Sequence, residues 1–380
     1  MKIGIVTLIG EFNYGNLLQS YALQTILERM GHDVVTLNRR SSKPRVKQIL
    51  LRFASVIKCI IKRFILGRKD ILVVNPFSED YKIKNRQYKL SSFVHKYIKR
   101  SKSLRSNEEL KKFSESKDID AYIVGSDQIW REDYVYDIKE SFLSFLPKEY
   151  NGKRIAYAAS FGVDEDYISE EKMPLCKDLL KRFDAVSVRE KSAVKICKEH
   201  FGVEAKHVLD PTMLLSVEDY KKLFIENKTP KSKGNLLVYI LDDSFEIKQV
   251  ISKYSEDKKQ VPFSVNELEK VNSISYTNKL PTLEAWLRGF HDAECVITDS
   301  FHACVFSILF NKPFVCLGNK DRGSARFDSL LGMFELESRL VNEINDISEI
   351  MNAPIDWQRV NSILNEKRIE AMSFIENVLN

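Results

Sequence analysis

Glycine is scarce in this chain, with 14 among 380 residues. That count is too low for a β-propeller or an array of small loop-rich modules. No window reaches the roughly 18 uninterrupted apolar residues of a membrane-spanning helix. The first fifteen residues do not have the form of a signal peptide. Lys2, Gly4 and Gly10 interrupt the apolar stretch, and it runs into Glu11-Phe12-Asn13 with no small-residue cleavage site. The six cysteines (59, 176, 197, 295, 304, 316) include no Cys-x-x-Cys pair, and four lie in apolar runs such as Glu294-Cys295-Val296-Ile297. This pattern predicts buried, reduced thiols in a cytoplasmic protein, without disulfides or a structural zinc. There is no repeat of solenoid period and no G-x-G-x-x-G, so a dinucleotide site has no specific support. Lys plus Arg number 59 against 53 Asp plus Glu, a net charge of +6. So small an excess matters only where it is clustered, and no nucleic-acid partner is expected.

What remains is a globular composition, 44% hydrophobic, 11% aromatic and 29% charged, over a length that suits two domains. Lys2 to Leu8 reads as a buried strand. A loop from Gly10 to Gly15 leads into a helix over about Asn16 to Met30, with Leu18, Ala22, Ile26 and Met30 on one face. Gly31 stops it, and His32 to Leu37 is the next strand. This βαβ unit opens a doubly wound domain. From about residue 40 to 117 the chain is basic, poor in glycine and helical in period. Strand patterns return at Asp120 to Val124, Arg154 to Ser160, Asp184 to Val188, Lys206 to Leu209, Leu236 to Leu241, Cys295 to Thr298 and Pro313 to Leu317. The economical architecture is two Rossmann-like α/β domains facing a cleft, residues 1–175 and 176–380, with a boundary near 165–185. A basic helical insertion belongs to the first, and the last helix is able to pack back onto it.

Candidate chemistry sits where strands give way to helices. Asp299-Ser300-Phe301-His302 follows Cys295–Thr298, so Asp299 or Ser300 can cap a helix whose first turn holds His302. A helix N-terminus attracts anions, and a histidine there can bind one or pass a proton. Arg189 occupies the matching place after Asp184 to Val188, where it can grip a carboxylate or phosphate or pair with Glu190. The loop Lys320-Asp321-Arg322-Gly323-Ser324-Ala325-Arg326 offers Arg322 and Arg326 to an anion, or is a solvated charge run. In the first domain, Asn13, Tyr14 and Asn16 offer amide and hydroxyl groups at the first turn. Ser126, Asp127 and Gln128 lie beside Trp130, a combination that suits a sugar. Asp127 is either a base or a turn cap. Asp118-Ile119-Asp120 and Asp164-Glu165-Asp166 match D-x-D but read as punctuation, and no metal is expected.

Taken together, NYGNLLQSYALQ at 13–24, YIVGSDQIW at 122–130, RIAYAASFG at 154–162, DAVSVRE at 184–190, HVLDPTML at 207–214, TDSFHACVFSILFNKPFVCLG at 298–318 and RGSARFDSLL at 322–331 resemble the polysaccharide pyruvyl transferases. The resemblance implies a GT-B-like fold, phosphoenolpyruvate as donor substrate with no cofactor, and a ketal formed on a surface polysaccharide sugar, its acceptor carried on a polyprenyl lipid. Carried over by motif, Arg189 and His302 fall on the donor. Many relatives have Arg-Leu-His where this chain has Ser300-Phe301-His302, so Ser300 replaces a cation that Arg322 or Arg326 can supply.

A matching scheme has His302 as acid or phosphate ligand, Arg189 and Arg326 as clamps, and Asp127 as base, with Asn13, Tyr14, Asn16, Ser126, Gln128 and Trp130 on the acceptor. A nucleotide-sugar glycosyltransferase of the same architecture and a non-catalytic glycan-binding relative are the rival readings. Finally, residues 39–69 hold eleven Lys or Arg and no Asp or Glu. Val46, Ile49, Leu50, Phe53, Ile57, Ile60, Ile61 and Phe64 recur there at helical spacing. Residues 44–69 are either a helix packed on the first domain or a basic amphipathic helix lying on the inner face of the cell membrane.

Overall fold

The computed structural model describes residues 1–8, 13–40, 46–65, 88–164, 168–242, 244–265, 270–272, 275–276, 281–318, 324–341 and 347–380. The first strand, β1 (Lys2–Val6), has Ile3 and Ile5 wholly buried. It lies between β2 (Asp33–Thr36) and β3 (Ala121–Val124), and the sheet continues through β4 (Lys153–Ala159), β5 (Ala185–Val188) and β6 (Lys206–His207). The order is β2-β1-β3-β4-β5-β6, and every pairing is parallel. Burial on both faces explains the near-continuous apolar strand sequences.

The second sheet contains β7 (Leu236–Tyr239) and β8 (Pro262–Phe263), then, after a small antiparallel ribbon of β9 (Lys270–Asn272) and β10 (Ser275–Tyr276), β11 (Cys295–Thr298), β12 (Phe314–Leu317) and β13 (Leu340–Val341). Its order is β13-β12-β11-β7-β8, again parallel. Each sheet therefore reverses direction once, between β1 and β3 in the first and between β7 and β11 in the second. The carboxyl ends flanking such a reversal leave a crevice where ligands bind.

Helix α1 (Tyr14–Arg29) follows β1 and is capped by Asn13, whose side chain accepts from the Asn16 amide at 3.3 Å. The periodicity predicts one buried stripe, yet α1 is buried nearly all round, because it is sandwiched between its own sheet and the second half of the molecule. In the basic region, α2 (Val46–Ile60) continues into a π-helical turn, Ile61–Ile65. α3 (Tyr88–Tyr97) and α4 (Asn107–Lys117) follow, their Leu90, Phe93, Leu110 and Phe113 buried in the cores.

The division expected near residues 165–185 requires correction. β5 and β6 pair with β4 in the first sheet, so the first half extends through His207 and the second sheet begins at Leu236. Sheet membership is a matter of pairing, and the local pattern of Asp184 to Val188 reads the same in either sheet. The C-terminal helix, Trp357–Leu379, packs back onto β4, with the Phe374 ring centroid 6.3 Å from that of Tyr157. Its Arg368 donates to the Met213 and Leu215 carbonyls at 2.6 and 2.7 Å. Five cysteines (176, 197, 295, 304, 316) are buried thiols and Cys59 is half-buried. No helix among the described residues is long and apolar enough to cross a membrane.

Candidate active site

The two sheet reversals face each other across a cavity of about 990 Å³. Thr7 after β1 and Asp127 after β3 line it from one side; Leu241 after β7 and Asp299 to His302 after β11 line it from the other. The strand-to-helix turns singled out in the sequence converge here because each sits at a carboxyl end beside a reversal.

Arg189 leaves the end of β5 with its side chain almost wholly enclosed. It donates to Asp210 Oδ2 at 2.8 Å, to Ser160 Oγ at 3.2 Å and to Asp127 Oδ1 at 3.4 Å, and its guanidinium lies 4.5 Å from the Phe301 ring centroid. Burial would lower its pKa, but Asp210 and Asp127 raise it. Arg189 is therefore a fixed cation behind the cavity wall, not a surface residue paired with Glu190. Glu190 turns away, accepting from the Ser160 hydroxyl and from the Gly162 amide at 3.0 Å, and burial pushes its carboxyl up.

Asp210 is the residue sequence reasoning missed. It caps the 3-10 turn Pro211–Met213, and its Oδ1 accepts from the Thr212 amide at 2.9 Å and the Thr212 hydroxyl at 2.6 Å. Its Oδ2 takes Arg189 and, at 3.3 Å, Ser126 Oγ. His302 Nε2 stands 3.7 Å from the same oxygen, just beyond hydrogen-bond reach and an ion pair only when the imidazole is protonated. Burial alone would raise the Asp210 carboxyl; His302, Arg189 and Thr212 outweigh it and hold the group well below the usual carboxylate range. An Asp before Pro after a short strand reads as a turn, so the one sequence signal was its place in HVLDPTML.

His302 is the second residue of α5 (Phe301–Leu309), whose amino end opens on the cavity. Ser300 stands at the cap position without a side-chain cap bond, and its amide donates to Thr298 Oγ1 at 3.0 Å. Asp299 instead accepts from the Leu241 and Asp242 amides at 2.8 and 2.9 Å, tying the two strand ends together. The His302 ring lies against the first turn of α1: a Cβ built on Gly15 would fall 2.0 Å from His302 Nδ1. Only glycine lets the two halves meet so closely.

Asp127 holds a left-handed backbone, φ +69°, which Asp tolerates better than most residues. Its Oδ2 accepts from Asn16 Nδ2 at 3.1 Å, and burial is outweighed by Arg189, His302 and Asn16, so the carboxyl titrates below its ordinary value. Arg326, in α6 (Ala325–Met333), lines the cavity 5.8 Å from the Phe301 ring. Burial and the nearby Arg189 lower its pKa to about 10.

Of the other expected site residues, Asn13, Asn16, Gln128 and Ser300 line the cavity. Ser126 is enclosed behind it, on Asp210. Tyr14 is buried, stacked on Trp286 with centroids 5.5 Å apart, and its hydroxyl donates to the Pro281 carbonyl at 2.9 Å. Trp130 is 0% exposed, stacked on Phe142, with Nε1 donating to the Ser141 carbonyl at 3.2 Å. Neither ring can be an open platform for a sugar, because each completes a core. Tyr134 and Tyr136, which sequence reading passed over, are exposed at the cavity rim, with Arg131 over the first ring at 4.7 Å and Arg39 over the second at 5.3 Å. Asp120 accepts from the Lys2 amide at 2.6 Å, and Asp118 is the left-handed cap of α4. Arg322 and most of the second D-x-D, Glu165 and Asp166, lie outside the described residues.

In overall shape the chain is similar to UDP-GlcNAc 2-epimerase from Neisseria meningitidis bound to UDP-GlcNAc. The identity is 10%, the TM-score 0.51, and the match covers 100% of this chain and 99% of that one. A glycosyltransferase involved in avilamycin A biosynthesis matches at 11% identity and TM-score 0.47, covering 100% and 97%. E. coli ADP-heptose lps heptosyltransferase II matches at 10% identity and TM-score 0.35, covering 97% and 99%. At such identity a likeness speaks of the fold alone. No curated protein matches the chain in sequence. The family model of polysaccharide pyruvyl transferase matches residues 13–321, from the Asn13 cap of α1 past β12. That span includes Asp127, Arg189, Asp210 and His302, and the chain belongs to the polysaccharide pyruvyl transferase family.

Proposed function

We propose that this chain transfers the three-carbon unit of phosphoenolpyruvate to two hydroxyls of one sugar, as a cyclic ketal, on a polyprenyl-linked precursor of a surface polysaccharide. The observation that carries this reading, beside family membership, is His302 at a helix amino end that opens on the cavity. There it stands beside the Asp210–Arg189 pair and within one cavity wall of Arg326.

The phosphate and carboxylate of phosphoenolpyruvate suit the amino end of α5 and the Arg326 guanidinium. His302 is the proton donor to the methylene carbon. A new C–H bond forms there, and C2 becomes electrophilic. One sugar hydroxyl adds to C2, and its proton passes to a base. The C2–O bond to phosphate breaks, and the second hydroxyl closes the ring while its proton leaves with phosphate. Asp127, ionised and on the cavity wall, is the base for the first hydroxyl. Arg189 serves as a positioning residue, because its guanidinium already holds Asp210 and Asp127 and has no open face on the cavity. On the acceptor side, Tyr134 and Tyr136 offer the aromatic faces that Trp130 does not.

The test is to incubate the protein with phosphoenolpyruvate and candidate lipid-linked oligosaccharides, following phosphate release and product mass together. The expected product is heavier than its acceptor by one pyruvic acid less one water, formed in step with phosphate. Phosphate release with no heavier product, or glycosyl transfer from a nucleotide sugar, overturns the proposal.

A further inference from the structure

A surface outside the cavity is built for a partner of another kind. Leu50, Ile57, Ile60, Ile61, Phe64 and Ile65 are all exposed, Leu50 at 63%, Phe64 at 72% and Ile65 at 75%. Nowhere else among the described residues does one segment expose so many large apolar side chains. They belong to α2 and its π-helical continuation, whose substantial packing among the described elements is with one another. Leu50, Ile57, Ile60 and Ile61 stand at i, i+7, i+10 and i+11, which puts them on one helical face. A face of this size is not left to water in a stable protein without a purpose.

The charge says what covers it. Residues 46–65 carry Lys47, Arg52, Lys58, Lys62 and Arg63 and no acidic residue. Lys58 is exposed beside the apolar face, and the Arg63 guanidinium lies 5.8 Å from the Phe64 ring centroid. A second copy of this chain, pairing through the same face, would bring two basic segments together with no carboxylate between them. An anionic lipid surface satisfies both features at once, taking Leu, Ile and Phe into its acyl boundary while phosphate headgroups meet the lysines and arginines.

We infer that α2 and the turn Ile61–Ile65 form a membrane-interface anchor for an anionic phospholipid bilayer. The anchor also has a place relative to the cavity. Leu37 and Arg39 line the cavity, and the six peptide steps from Arg40 to Val46 span at most roughly 20 Å. Binding through α2 therefore tethers the cavity to the lipid surface by a short connection. This inference does not depend on which reaction the cavity performs. Residues 44–45 and 66–69 of the expected segment lie outside the described residues.

Co-sedimentation of the full-length protein with vesicles decides it, using phosphatidylcholine alone and phosphatidylcholine containing phosphatidylglycerol. The wild type is expected to pellet with the anionic vesicles at low salt, to be released in good part at high salt, and to ignore the neutral ones. Lys58→Glu with Arg63→Glu is expected to weaken partition by about tenfold or more. Ile57→Ser with Phe64→Ser is expected to weaken it comparably. Both pairs should leave the thermal midpoint unchanged, because neither apolar side chain is buried. Wild type that stays in the supernatant with anionic vesicles overturns the anchor. So does partition that survives the charge reversal, or a dimer in solution that the Ile57→Ser and Phe64→Ser pair dissolves.

Discussion

Arg189 carries a permanent charge into a place that water does not reach, and its surroundings are arranged to hold it: two carboxylates, one hydroxyl and an aromatic face. Removing one carboxylate from such a group leaves the buried charge only partly compensated, and breaking a buried ion pair costs about 3–5 kcal/mol. Asp210→Asn keeps the volume and the Thr212 contacts but loses the charge, so its unfolding free energy in urea is expected to fall by up to that order; an unchanged unfolding free energy would assign the compensation to Asp127 alone. The sign of the pH dependence follows from the same contacts. Asp210 and Asp127 are held below their ordinary values, whereas in the unfolded chain they titrate near about pH 4. Their contribution is complete above that pH and disappears as pH falls through the folded-state values. Denaturation series from about pH 6 down to about pH 3 should show stability declining, with a shallower decline in Asp210→Asn.

Two helix beginnings make the site. The first turn of α1 supplies Asn13, Gly15 and Asn16, and the first turn of α5 supplies His302, each because a strand has just ended beside a sheet reversal. Gly15 is where the two elements touch. In an isolated helix, Gly→Ala would stabilise by roughly 0.5–1 kcal/mol. Here the added methyl would stand 2.0 Å from the His302 ring, so Gly15→Ala must displace the imidazole or α1. His302→Ala is expected to lower ketal formation by about 10²-fold or more, and Gly15→Ala to approach that loss while the fold is kept. Steady-state rates with both variants check this. Near-normal turnover in Gly15→Ala would mean that the ring has another productive position.

Across the whole molecule, the two sheets share one apolar core. Ile3, Leu17 and Leu23 of the first half join Trp286, Phe306 and Phe374 in a single buried cluster, and Tyr14 crosses the junction to stack on Trp286 and bond the Pro281 carbonyl. A large apolar junction opposes free movement of two halves. Calorimetry is accordingly expected to show one cooperative transition for both halves, with calorimetric and van't Hoff enthalpies equal. Tyr14→Ala should lower its midpoint by the equivalent of about 3–5 kcal/mol, the usual scale for a truncated aromatic core residue. Two separated transitions in the wild type would contradict a shared core. Ligand linkage gives a second measurement at this scale. Phosphoenolpyruvate at a hundred times its dissociation constant should add about 2.7 kcal/mol to stability, and nucleotide sugars nothing. His302→Ala and Arg326→Ala should each reduce the shift, and an equal shift with a nucleotide sugar would favour the glycosyltransferase reading.

Much of this was local information. Ile3 and Ile5, or Val296 and Ile297, mark buried parallel strands because both faces must be apolar. Gly31 ends α1 because its φ of +87° suits glycine, and Arg189, Asp127 and His302 stand out because they follow strands where backbone groups are free to meet a ligand. What local pattern did not contain was pairing. The strand from Asp184 to Val188 joins the first sheet through hydrogen bonds to residues some thirty positions away, so the boundary between halves was misplaced. Trp130 looked like a platform and Tyr14 like an acceptor contact until three-dimensional packing enclosed both, while Tyr134 and Tyr136, in a segment without strong periodicity, reached the cavity instead. Asp210 and Gly15 were visible as a turn former and a flexible residue. Their importance arises only where Arg189, His302 and α1 arrive at the same point from distant parts of the chain. Sequence alone thus determined the strands, the helix starts and the family, because those depend on residue type and short spacing. Tertiary structure decided the partners of each buried charge, because burial and distance are set by the folded chain as a whole.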